Sequence, residues 1–114
     1  MRSAIALALL LAAPASAAPL EFRVAHPFSV EDAKARIEMM LDYWGRRFGV
    51  NHTWDGSVAK VHGTVMGVEI TATIEVERRV VLGHANDPGA ILRNAARDYI
   101  SRKLRKYLHP QYRE

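Results

Sequence analysis

Leu20, Phe22 and Val24 alternate with Glu21 and Arg23 over residues 20–25, the period-two pattern of a strand with one buried face. His26-Pro27 ends it, since proline cannot extend a hydrogen-bonded ladder. The period then lengthens. Val30, Ala33, Ile37, Met40, Leu41, Trp44 and Phe48 form one apolar stripe at helical spacing. Ser29 stands where a hydroxyl can accept from the first free N–H groups, and Glu31 and Asp32 complement the positive end of the helix dipole. Asp32/Arg36 and Asp42/Arg46 are spaced for ion pairs on the polar face, and Gly49 is suited to a left-handed C-terminal cap.

From residue 51 to residue 84 the pattern returns to two. Trp54-Asp55-Gly56-Ser57 predicts a tight hairpin joining residues 51–54 to 58–65. Ala59, Val61, Gly63 and Val65 would face one side, and Lys60, His62 and Thr64 the other. Val68, Ile70, Ala72, Ile74 and Val76 alternate with Glu69, Thr71, Thr73 and Glu75, the clearest strand of the chain. Met66-Gly67 turns before it and Glu77-Arg78-Arg79 after it. Val80-Val81-Leu82 makes a short last strand, with Gly83 as a bulge or a point of close backbone approach.

Asp87-Pro88-Gly89 predicts a second helix, capped by Asp87 with proline in the first helical position. Its buried stripe is Leu92, Ala95, Ala96, Tyr99, Ile100, Leu104, Tyr107 and Leu108. His109-Pro110 stops it, and a frayed tail follows. The order β-α-β-β-β-β-α predicts an α+β two-layer sandwich, a mainly antiparallel sheet with both helices on one face.

Composition narrows the class. The chain has 114 residues, 16 Lys and Arg against 12 Asp and Glu, and 49% apolar residues, ordinary globular material for one domain. No cysteine is present, which excludes a disulfide framework, a thiolate zinc site, a cysteine nucleophile and a lipoprotein anchor. Residues 1–17 read as a cleaved secretory signal: Arg2, an apolar run over 4–13, and Ala15-Ser16-Ala17 before the cut. That leaves one domain over residues 18–114, exported and periplasmic; if the signal is not used, the chain stays cytoplasmic, at a granule surface.

A set of residues running through the chain carries a family resemblance. His26-Pro27-Phe28-Ser29, then Ala33 and Arg36, then Phe48-Gly49, Trp54-Asp55-Gly56, Gly67 and Leu82-Gly83 resemble the small bacterial polyhydroxyalkanoic acid system family. The resemblance covers the whole chain after the signal and implies association with polyester granules or their gene regions. His26, Ser29, Ala33, Arg36, Phe48, Gly49, Trp54, Gly56 and Gly67 are its motif positions. None of them makes a catalytic signature. The export signal and the Asn86-Asp87-Pro88-Gly89 stretch depart from the family's pattern.

Candidate chemistry is sparse. Histidines 26, 52, 62, 84 and 109 are never three or four apart on a helix, and the Asp55-Gly56 turn would set position 52 opposite about position 59, separating His52 from His62. Neither a metal site nor a cofactor is therefore expected. His26 closes its strand and hydrogen-bonds near the next helix start. Glu69, Glu75 and Glu77 share one strand face, the solvated side of the sheet rather than an acid–base pair. No nucleophile elbow, phosphate loop or dinucleotide fingerprint occurs, so an enzyme is not expected.

Arg93, Arg97, Arg102, Lys103, Arg105 and Lys106 decorate the last helix against one acid, Asp98, and suit an anionic surface such as a lipid headgroup layer or a granule coat. No nucleic acid is expected, because no exposed aromatic set offers base stacking. The leading expectation is a non-catalytic surface or carrier module contacting a hydrophobic polymer, lipid or acyl ligand. The alternative is a structural envelope protein acting through protein contacts, a homodimer paired through its first or last strand.

Overall fold

The computed structural model describes residues 19–112. The segment read as a signal lies outside the described residues, as do positions 113 and 114. Seven elements follow in order: β1 (Leu20–Ala25), α1 (Val30–Phe48), β2 (Asn51–Asp55), β3 (Val58–Val65), β4 (Val68–Glu77), β5 (Val80–Ala85) and α2 (Arg93–Tyr107). The strands form one antiparallel sheet in the order β1-β5-β4-β3-β2, so the α+β order read from the sequence is the observed one. Four strands run as a meander, and β1 adds to its far side.

Ser29 caps α1 by accepting from Asp32 N at 3.1 Å, and Gly49 closes it with φ of 78°. Ala33, Ile37, Met40 and Leu41 on its inner face are fully buried against Val61, Ile74, Val76 and Val81 of the sheet. Met66 and Gly67 turn β3 into β4 with φ of 53° and 81°, the pair of positive values that a tight two-residue hairpin turn requires. Neither predicted ion pair on α1 forms. Arg36 turns instead to the Tyr107 and His109 carbonyls at the end of α2, since a surface pair in water contributes little.

Five further expectations are corrected. β5 runs through Gly83 to Ala85 without a bulge, in register with both neighbours. The Phe22 ring fills the space above Gly83, where an added Cβ would meet it at 3.5 Å. The β2–β3 turn is Gly56-Ser57, with Asp55 paired to Val58, so His52 stands opposite Val61 and not position 59. His62 faces Asn51, so the two histidines still point to opposite sides of the sheet.

The last strand, β5, is interior, and the edges are β1 and β2; edge pairing through the last strand is thereby excluded. α2 begins at Arg93, well after Asp87. Asp87 accepts from Gly89 N at 3.0 Å and pairs with Arg93 at 3.2 Å, while Gly89 holds φ of 104°, which no right-handed helix adopts. Within the tail read as frayed, the Tyr112 ring packs on Tyr107 with centroids 4.7 Å apart.

Candidate functional site

The late start of α2 and the unequal strand lengths open the two layers at one end. β4 starts at Val68, whereas β5 stops at Ala85 opposite Ala72. The β3–β4 hairpin therefore overhangs its neighbour. Asn86 closes the ladder there: its N–H donates to the Thr71 carbonyl, its Oδ1 accepts from Thr71 N at 2.8 Å, and its Nδ2 donates to the Glu69 carbonyl at 2.7 Å.

On the helix-facing side of the overhang stand Val65, Val68 and Ile70, half-buried. Ala96, Tyr99 and Ile100 of α2 roof them, and Trp44 and Phe48 of α1 form the side wall. Between these lies an open groove of about 320 Å³, at the small end of the roughly 300–1,000 Å³ range of ligand sites. Its lining is almost wholly apolar. The buried polar groups among it satisfy one another, with Trp44 Nε1 donating to the Tyr99 hydroxyl at 3.1 Å. Phe48 meets the Tyr99 ring edge-on at 6.1 Å. Burial pushes the Tyr99 hydroxyl above its ordinary range, against the opposing hydrogen bond from Trp44.

The groove's mouth is apolar too. Met66, at the tip of the hairpin, is 92% exposed, and Leu92, which also lines the groove, is 41% exposed. The α2 stripe read from the sequence splits accordingly. Leu104, Tyr107 and Leu108 are buried, whereas Leu92 and Ala95 are exposed.

The six basic residues of α2 divide between contacts within the fold and solvent. Arg93 pairs with Asp87. Lys103 lies over the rings of Tyr43 and Tyr99, at 4.8 and 5.7 Å, and Lys106 lies over Tyr112 at 5.7 Å. Arg97, Arg102 and Arg105 are exposed, Arg105 beside Arg23 in a shallow depression under β1.

The motif positions sit at the joints of the fold. His26 is buried, its Nε2 donating to the Glu77 carbonyl at 2.8 Å and its Nδ1 accepting from Phe28 N at 3.1 Å. Arg36 lies over the Phe28 ring at 4.0 Å. Trp54 donates from Nε1 to Glu38 Oε1 at 2.6 Å and lies under the Lys34 ammonium, which itself reaches the Gly56 carbonyl at 2.7 Å. Ser29, Ala33, Gly49, Gly56 and Gly67 serve caps, close packing and turns. Of the nine, Phe48 alone lines the groove.

Glu69 and Glu75 lie on the exposed outer face of the sheet, and Glu75 beside Glu77 holds the Glu77 carboxyl above its ordinary range. A cluster that the histidine spacing did not reveal lies between α1 and β2. Glu38, Asp42 and His52 bring one donor atom each to within 4.8 Å of one another. The sequence signal for it was present: two carboxylates four apart on a helix, and a histidine just beyond the reversal at Gly49. The hydrogen bond from Trp54, with a smaller one from His52, holds the Glu38 carboxyl below its ordinary range.

No described helix is long and apolar enough to cross a membrane. A family model described as "Putative polyhydroxyalkanoic acid system protein" matches residues 20–111. No curated protein and no solved structure matches the chain.

Proposed function

The chain belongs to the polyhydroxyalkanoic acid system family, and from that premise we propose that it is a non-catalytic module that takes an alkyl chain of a polyester or of its hydroxyacyl units into the groove. The groove carries the proposal. Apolar surface that an open groove leaves in contact with water gains free energy when an apolar group covers it. Polyesters of hydroxyalkanoic acids present alkyl side chains along a backbone of uncharged esters, which suits a lining that has no free charge. Exposed Met66 and Leu92 extend the apolar surface outward, so that a segment of a larger body can be gripped as well as a free molecule. Arg97 and Arg102, exposed on the helix that roofs the groove, supply positive charge toward an anionic coat around such a body.

The test is a titration of the full chain with a soluble medium-chain hydroxyalkanoate oligomer, followed by tryptophan emission and by native mass spectrometry. Trp44 lines the groove, so occupancy removes water from its ring and shifts its emission to the blue in a saturable manner. Ala96→Phe places a ring in the cavity and weakens binding at least tenfold with the fold retained. A wild-type chain with no saturable change and no complex in the mass spectrum overturns the proposal.

A further inference from the structure

We infer that Glu38, Asp42 and His52 form a binding site for one divalent transition-metal ion of the zinc class, separate from the groove. Glu38 and Asp42 are one turn apart on the polar face of α1, and Gly49 reverses the chain so that β2 returns along that face. His52 is opposite Val61 and therefore on the helix-facing side of the sheet. Its side chain is only 16% exposed, and its Nε2 is 2.9 Å from Glu38 Oε1.

The donor set is chemically apt. An imidazole nitrogen and two carboxylate oxygens are ordinary zinc ligands, and three protein ligands leave a fourth position for water. Around a tetrahedral ion with bonds of about 2.0–2.1 Å the donors lie roughly 3.4 Å apart. The three donor atoms here already lie within 4.8 Å of one another, so donor shifts of about 1 Å, the scale of a side-chain rotation, bring them to that spacing.

The charge balance points the same way. Two neighbouring carboxylates repel when both are ionised, and a nearby cation relieves the repulsion. Among the described residues Asp42 makes no ion pair, and Arg46, one turn along α1, does not reach it. Lys34 is taken up by the Gly56 carbonyl and the Trp54 ring. The remaining neighbour is His52, whose Nε2 bonds to Glu38 Oε1. Trp54 supplies the outer hydrogen bond to Glu38 that metal-binding carboxylates commonly receive. When the ion binds, the imidazole proton resides on Nδ1, Nε2 coordinates, and the Glu38 oxygen exchanges its bond to His52 for the metal.

The experiment is a calorimetric titration of the chelator-treated full chain with zinc alone, repeated with cobalt to record the visible absorption of a tetrahedral N/O shell. The expected result is one ion per chain with micromolar affinity and a thermal midpoint that rises with zinc concentration. Asp42→Asn, a change at an exposed position, keeps the fold and weakens binding at least tenfold, as does His52→Gln. Trp54→Phe weakens it by about tenfold through the outer hydrogen bond. Binding unchanged in Asp42→Asn, or no heat and no thermal shift below millimolar zinc, overturns the site. In that event Glu38 is a brace between Trp54 and His52, and Glu38→Gln lowers metal-free stability alone.

Discussion

Arg36, in the middle of α1, donates from Nη1 to the main-chain carbonyl of Tyr107 at 3.0 Å and to that of His109 at 3.1 Å. One guanidinium thus closes the C-terminal end of a helix seventy-one residues further along the chain. The last carbonyls of a helix have no partner within it and carry the negative end of its dipole. A cation held over the Phe28 ring satisfies both needs and ties the two helices together beneath the sheet.

Arg36→Ala is therefore expected to destabilise the fold by about 2 kcal/mol, the range of charge-assisted hydrogen bonds. Arg36→Lys retains the charge but not the planar fork, and recovers about half of that. Denaturant midpoints of the three chains decide the matter. Equal midpoints for Arg36→Ala and the wild type would show that water replaces the guanidinium without cost.

Tyr99 predicts an alkaline limb. Burial raises its folded value above the ordinary 10.0, so above that pH the unfolded chain loses the proton first. The stabilisation is whole below pH 10 and declines as pH rises from there through the folded value. Tyr99→Phe removes this dependence, and it also leaves Trp44 Nε1 without its acceptor, at a cost of about 1 kcal/mol at neutral pH. Thermal melts of both chains between pH 8 and about 11 test the sign; identical slopes would refute the assignment.

Gly63 predicts a steric limit. It faces the helix side of β3, past the end of β2, where the chain at Val50 crosses the strand. An added Cβ would lie 3.0 Å from the Val50 Cα and from its Cγ1. Gly63→Ala is expected to cost about 1–3 kcal/mol, as overpacking does, because one of the two opposing atoms is backbone. Gly63→Ala combined with Val50→Ala relieves only the side-chain contact and recovers part of the loss. Equilibrium unfolding of the single and double variants gives the coupling.

The groove was not legible in the periodicity of α2. Leu92, Ala95, Ala96, Tyr99 and Ile100 carry the same helical spacing as the buried Leu104 and Tyr107, and spacing alone cannot distinguish a face that meets the sheet from one that stands away from it. Two distant facts make the difference: β5 ends where β4 continues, and Asp87 bonds to Gly89 and Arg93 instead of opening a helix. The register of the β2–β3 hairpin was likewise undecided by Asp55-Gly56, because either pair of neighbouring residues can occupy the two loop positions.

What the sequence by itself determined is local. Alternation in β1 and β4, the stripe and caps of α1, and the glycines at left-handed corners follow from side-chain period and backbone sterics within a few residues, and the element order follows from them. Only the tertiary structure decided which stripes are covered, where the layers part into a groove, that Arg36 serves a distant helix end, and that Glu38, Asp42 and His52 meet. Those outcomes depend on strand lengths and on the reversal at Gly49 acting together. No single stretch of chain carries the distance between residues that are far apart along it.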